Sequence, residues 1–356
     1  MISLVNRQSL LGPFVALFAF PVSFWGSDVC GDARQQFQAR SFRAAQSLLW
    51  ACWEQQGSRP DPSIAYELAQ TYRQLKNYRS GLDRLEATPD GRNLADRRYL
   101  QGYLRFRMGM FQESITALHE AFLYDPADWR VHQVFALNFV MLERRDAALH
   151  EFRTAIGLQP RNAELHYQLS RYLYVLNRFE EAIKEAQAAL EIAPAYIDAR
   201  TDLALCYEAL GRDAAAEQEH RKAVDLASRA SEKDEWPYIN YGAWLARKGR
   251  YRESLPVLRE ATTIAPHSYE AWLLGGKANA ALGRYAEARA DLVRAISADE
   301  DQPGAYYQLA TVARKTGDFA ASRRYLELFA AKSERKSTAA HIKKSTDTKR
   351  PDDVIR

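Results

Sequence analysis

Apolar residues recur along this chain at spacings of three and four, in short runs joined by turns, which predicts amphipathic helices in pairs. Prolines mark the beat: Pro126, Pro160 and Pro194 stand 34 residues apart and close the segments LYDP, GLQP and EIAP. Pro266, in TIAP, follows Pro194 by 72 residues, which is two periods and four extra residues. A helical pattern with this period predicts an array of stacked helix hairpins.

Counting back from each proline, repeats begin at Ala95, Trp129, Ala163, Ile197, Glu235, Tyr269 and Pro303. The eighth place is then always small (Gly102, Ala136, Ser170, Ala204, Gly242, Gly276, Ala310), and so is the twentieth (Ser114, Ala148, Ala182, Ala216, Ser254, Ala288, Ser322). The twenty-seventh is alanine from Ala121 to Ala295, until Phe329 ends the run. Small side chains at matched places let helix axes approach, and larger ones such as Leu118, Phe152, Leu258 and Leu292 fill the grooves beside them. The helices of each pair are joined by MGMF, LERR, LNRF, LGRD, KGRY, LGRY and TGDF. Gly or Asn in these turns suits a left-handed backbone at a helix end. Aromatics after the turn (Phe111, Phe179, Tyr251, Tyr285, Phe319) are placed to staple the second helix onto the first.

This pattern resembles the tetratricopeptide repeat family in seven consecutive blocks, most clearly in AELHYQLSRYLYVLNRFEEAIKEAQAALEIAP, and two weaker copies precede them. The resemblance implies an all-α fold: a right-handed superhelical solenoid of stacked antiparallel helix pairs, preceded by an apolar N-terminal segment. The expected division is a signal peptide or anchor over 1–27, two degenerate repeats over 28–94, seven repeats over 95–331, and a disordered basic tail over 332–356. Departures are Ser228 and Glu300 at closing-proline places, Arg145 and Asp213 in place of the aromatic, and extra residues near Ala230 to Asp234.

Residues 10–25, LLGPFVALFAFPVSFW, are almost wholly apolar, with Arg7 the only charge before Asp28. A basic-flanked apolar start reads as a secretory signal or anchor, which places the repeats on the extracytoplasmic side, periplasmic or secreted. Cys30 and Cys52 fall on the two helices of the first weak repeat, and two readings stay open: a disulfide, or small buried side chains. Cys206 stands alone.

The tail from Lys332 carries eight Lys/Arg against four Asp/Glu, and the whole chain 49 against 45, so the remaining body is neutral at 41 against 41. A neutral body speaks against nucleic acid as partner, and the membrane is expected to be met only through the N-terminal segment. His119-Glu120 and His150-Glu151 open like a zinc-protease motif, but no second histidine follows at the required spacing. No nucleophile elbow, phosphate loop or metal-ligand pair appears, so the expectation is no enzyme, no metal and no cofactor.

What remains is recognition of a protein or peptide. The family resemblance implies that the first helix of each hairpin lines a concave surface. The groove residues are then Tyr99, Tyr103, Phe106 and Arg107, followed by Gln133 and Leu137, and by Tyr167, Arg171 and Tyr174. Aromatics beside arginine offer rigid area and a directional charge. The Lys and Asn pair with which some family members grip a C-terminal carboxylate is missing from every block, which disfavours a chaperone-tail clamp. The last helix, SRRYLELFAAK, has Tyr325, Leu328 and Phe329 on a side no further helix covers, which suggests an oligomer contact. The favoured reading is an adaptor that assembles envelope proteins; the alternative is a structural homo-oligomer or a regulatory subunit.

Overall fold

The computed structural model describes residues 28–57, 61–91 and 93–345. The apolar segment expected to be a signal or anchor, and the end of the chain after 345, lie outside the described residues. Among the described residues the structure is all helix, in nine antiparallel pairs. The first two are α1 (Val29–Gln38) with α2 (Phe42–Gln55), and α3 (Pro62–Gln74) with α4 (Tyr78–Glu86). Next come α5 (Leu94–Arg107) with α6 (Phe111–Tyr124), α7 (Trp129–Met141) with α8 (Arg145–Leu158), and α9 (Ala163–Val175) with α10 (Phe179–Ile192). The array continues with α11 (Ile197–Ala209) and α12 (Asp213–Arg229), then α13 (Trp236–Arg247) and α14 (Tyr251–Ile264). It ends with α15 (Tyr269–Ala281) and α16 (Tyr285–Ala298), then α17 (Gly304–Lys315) and α18 (Phe319–Ser345). Each helix packs most closely on its hairpin partner, and each second helix also packs on the first helix of the next pair. First helices of successive pairs touch as well, as α3 does α5 and α11 does α13, so they share one inner face.

The small places work as close approaches. A Cβ added to Gly102 would lie 2.6 Å from Leu118 Cγ, one on Gly242 2.5 Å from Leu258 Cδ2, and one on Gly276 2.6 Å from Leu292 Cγ. The leucine of the second helix therefore lies directly on the backbone of the first. Serines at the same crossings satisfy their buried hydroxyls against that backbone: Ser114 Oγ donates to the Gly102 carbonyl at 2.7 Å, and Ser254 Oγ to that of Gly242 at 2.7 Å. All seven turns from MGMF to TGDF place their fifteenth residue at positive φ, including Glu143 and Asn177 at 58°.

A second set of ties runs between repeats at the fourth place, which the sequence pattern of small residues does not reveal. His132 Nε2 and His166 Nε2 each reach the carbonyl of the closing proline of the preceding repeat at 3.1 Å, Pro126 and Pro160. Arg200 Nη2 donates to the Pro194 carbonyl at 2.8 Å and Trp272 Nε1 to that of Pro266 at 2.8 Å. Tyr306 Oη donates to the Glu300 carbonyl at 3.2 Å, so a donor persists where the proline is lost. His132, His166 and Arg200 also hold a glutamate of their own second helix, Glu151 at 2.6 Å, Glu185 at 2.7 Å and Glu219 at 2.5 Å.

Four features depart from a regular array. Cys30 and Cys52 are joined in a disulfide, with Cα atoms 5.4 Å apart, so α1 and α2 are covalently tied. The extra residues before α13 lengthen α12 to 17 residues and form the loop that carries Asp234. Pro256 lies inside α14 beyond its first turn, where it removes one intrahelical hydrogen bond. The expected disordered tail from 332 is corrected in its first part, because α18 runs on as helix to Ser345. Good helix formers dominate that stretch, and Lys332 Nζ anchors it to Asp301 at 2.8 Å and Lys336 Nζ to Gln302 at 2.6 Å. On the outer side of α18, Leu326 is 44% exposed and Leu328 37%, whereas Leu118 and Leu292 at the place equivalent to Leu326 are fully buried. Tyr325 is half-buried, and Phe329 packs on Tyr307 of α17 with ring centroids 5.4 Å apart.

Candidate peptide-binding groove

The inner face of α3, α5 and α7 is knitted by arginines laid over tyrosines of neighbouring helices. The Arg73 guanidinium of α3 lies 5.4 Å from the centre of the Tyr103 ring, and that of Arg130 in α7 lies 4.8 Å from the Tyr99 ring. Arg107 sits 4.8 Å over Tyr78 and its Nη1 donates to Tyr103 Oη at 3.3 Å. Such contacts are strongest where water is partly excluded, as here. Arg130 is oriented in turn by Asp96 at 2.6 Å and Asp128 at 2.7 Å. Burial pushes the Tyr99 hydroxyl up to about 12, so it stays a donor at neutral pH.

The groove residues expected from sequence divide by burial. Tyr103, Arg107, Gln133, Arg171 and Tyr174 are half-buried with part of each side chain open to solvent. Gln133 Nε2 donates to Gln168 Oε1 of α9 at 3.0 Å, tying α7 to α9. Tyr99, Leu137 and Tyr167 are more than nine-tenths buried and form the floor rather than the contact surface. Phe106 is fully buried against the hairpin core, with its ring 6.1 Å from Phe111, and is corrected from a groove residue to a core residue. Tyr174 holds the same twelfth place two repeats on and packs on Phe179 at 5.5 Å, yet it stays half-buried, so the place in the repeat alone does not separate core from groove.

Further along, α9, α11 and α13 enclose a cavity of about 670 Å³ on the same inner face. Tyr167 and Arg171 of α9 line one wall, Asp198 and Asp202 of α11 the floor, and Asp234, Trp236 and Asn240 the far wall. Arg171 lies 3.6 Å from Asp202 and 5.7 Å from the centre of the Tyr167 ring. The Tyr196 hydroxyl is held by Glu164, and its ring lies 4.9 Å from that of Tyr167. Burial pushes the Asp202 carboxyl up to about 7, against the pull of Arg171, and the Cys206 thiol one turn on up to about 12. Sequence reasoning missed Tyr196, Asp198, Asp202 and Trp236. The four-residue slip of the repeat was the available signal, because it supplies the loop that carries Asp234 to this wall. Among the described residues no group of His, Cys, Asp and Glu is placed to hold a metal ion.

A stack of helix hairpins whose first helices share one inner face is an α-helical repeat solenoid. The chain belongs to the tetratricopeptide repeat family: models of the tetratricopeptide repeat match residues 134–197 and 245–305, and a second matches 196–267. A curated relative, the type IV pilus assembly protein PilF of Pseudomonas aeruginosa, is 28% identical over 135 residues, 37% of this chain and 52% of its own length. The chain thus spans about half the length of that relative. The solved structure of Pseudomonas aeruginosa pilF is similar with a TM-score of 0.51 and 17% identity, covering 60% of this chain and 95% of its own. A tetratricopeptide repeat protein of Parabacteroides merdae matches with a TM-score of 0.54 at 16% identity, over 70% of this chain and 98% of that one. At these identities the likeness is one of fold.

Proposed function

We propose that this chain is a protein-interaction scaffold that works outside the cytoplasmic membrane, exported or tethered through residues 1–27, and that it holds a partner protein or peptide along the inner face of α5, α7 and α9. The observation that carries the reading is the run of arginines laid over Tyr103, Tyr99 and Tyr167 on that face, with Tyr103, Arg107, Arg171 and Tyr174 half open to solvent. Rings fixed by packing lose little entropy when a partner docks, and guanidinium groups add direction. The Cys30–Cys52 bond supports an oxidising compartment. The likeness to a protein named for type IV pilus assembly supports a role in building an envelope structure.

The test is affinity capture from native membrane and soluble fractions, comparing wild type with a Tyr103→Ala, Arg107→Ala variant of equal helicity. A foreign partner recovered by wild type and lost by the variant supports the scaffold. Equal recovery by both removes the groove around α5 from the reading. The exposed Leu326 and Leu328 favour a second reading, self-association through the outer side of α18. Recovery of the same chain alone, with a dimer by light scattering, would select it. Compartment is tested separately: protease added to spheroplasts should degrade the repeats while a cytoplasmic marker survives.

A further inference from the structure

The cavity between α9, α11 and α13 has two properties that a structural contact between helices does not require. Asp198, on α11, and Asp234, on the loop before α13, converge on it from different elements. Neither is paired with a basic side chain among the described residues, and the charge of Asp234 adds to burial in pushing the Asp198 carboxyl up. Asp198 is open to water yet sits within a concavity, and burial pushes its carboxyl up. Among the described residues Arg171 is the only basic side chain lining the cavity, and it faces Asp202. Trp236 stands at the same wall with 49% of its surface exposed, though it is the largest side chain there. Asp234 falls among the extra residues before α13, so a repeat of regular length would not supply it, and Trp236 stands at the repeat place that Glu164 and Asp198 hold in the two repeats before.

We infer that this cavity receives a basic side chain, arginine foremost, from an extended segment of the partner protein, with its guanidinium between Asp198 and Asp234 and its flat face on Trp236. The inference rests on the inner face being the partner-binding surface, and it names the chemistry of one contact. A planar guanidinium suits the site because it donates to both carboxylates while stacking on an indole. Its arrival relieves the repulsion between the carboxylates, so the free protein is primed for a cation.

The experiment is fluorescence anisotropy with a labelled Gly/Ser peptide carrying adjacent arginines and the same peptide carrying citrulline, which has the shape without the charge. Wild type should bind the arginine peptide about tenfold tighter or more. Asp198→Asn and Trp236→Ala should each remove most of that preference, while Glu113→Gln, an exposed acid on α6, leaves it intact. Added salt should weaken the arginine peptide alone. Equal affinity for the two peptides, or full selectivity retained in Asp198→Asn, overturns the inference. A chain ending at residue 345 that binds the arginine peptide far tighter than the full chain also overturns it, by showing that the chain's own tail is the occupant. The two readings fail separately: a partner lost from Tyr103→Ala, Arg107→Ala without arginine selectivity leaves the scaffold standing and removes only this contact.

Discussion

At the scale of single residues, neighbouring glycines in α15 have opposite duties. A methyl group on Gly276 would lie 2.6 Å from Leu292 Cγ and 3.3 Å from the Ala288 carbonyl, so helices α15 and α16 must part to admit it. One on Gly275 would meet only Asp291 Oδ2, at 3.4 Å, an ordinary contact. Gly276→Ala should therefore cost about 1–3 kcal/mol through overpacking, while Gly275→Ala should gain about 0.5–1 kcal/mol through helix propensity. Urea unfolding midpoints compare them. His132 gives a pH dependence. Its ring nitrogens face the Glu151 carboxylate and the Pro126 carbonyl, which only accept, so the doubly protonated ring fits best. The hydrogen bond to Glu151, opposed by burial and helped by Pro126, raises its pKa from 6.5. A raised folded pKa means that the stabilisation is complete below pH 6.5 and is lost as pH rises through the folded value. Thermal melts should show Tm falling across that window, and His132→Gln should flatten the slope.

At the scale of elements, the hairpin is the unit, and its own bonds decide its stability. The disulfide spans 22 residues between α1 and α2, a loop whose closure contributes about 3 kcal/mol by chain entropy. Because repeats touch only their neighbours, reduction should speed amide exchange in α1 and α2 and leave α9 to α16 unchanged by hydrogen–deuterium mass spectrometry. The hairpins were legible in the sequence because volume complementarity leaves a plain trace: a small eighth place such as Gly242 answers a large twenty-fourth such as Leu258. The groove was legible only in outline. Tyr99 and Leu137 follow the inner-face spacing, yet cover from Arg130 and the neighbouring helices makes them floor, and that cover comes from other repeats. The helical reach of α18 was missed because a polar, basic stretch reads as tail until Lys332 is seen anchored to Asp301.

At the scale of the molecule, the inner face changes character along its length. Near α5 it carries arginines over tyrosines, and between α9 and α13 it carries carboxylates beside Trp236. A partner lying along it meets different chemistry at its two ends, which gives the complex a polarity that an apolar groove would lack. The ends of the solenoid differ too. The last hairpin leaves Leu326 uncovered, while the first is fastened by the bond between Cys30 and Cys52. Pulled from its N-terminal side, an array held by neighbour contacts peels hairpin by hairpin. With the bond in place, tension runs from Cys30 through sulfur to Cys52, and the intervening chain feels none of it. The first hairpin to yield is then α3 with α4, whose nine residues make it the shortest helix among those described. A scaffold tethered through its leading segment would thus meet mechanical traction with a rivet at the point of attachment instead of a fraying end.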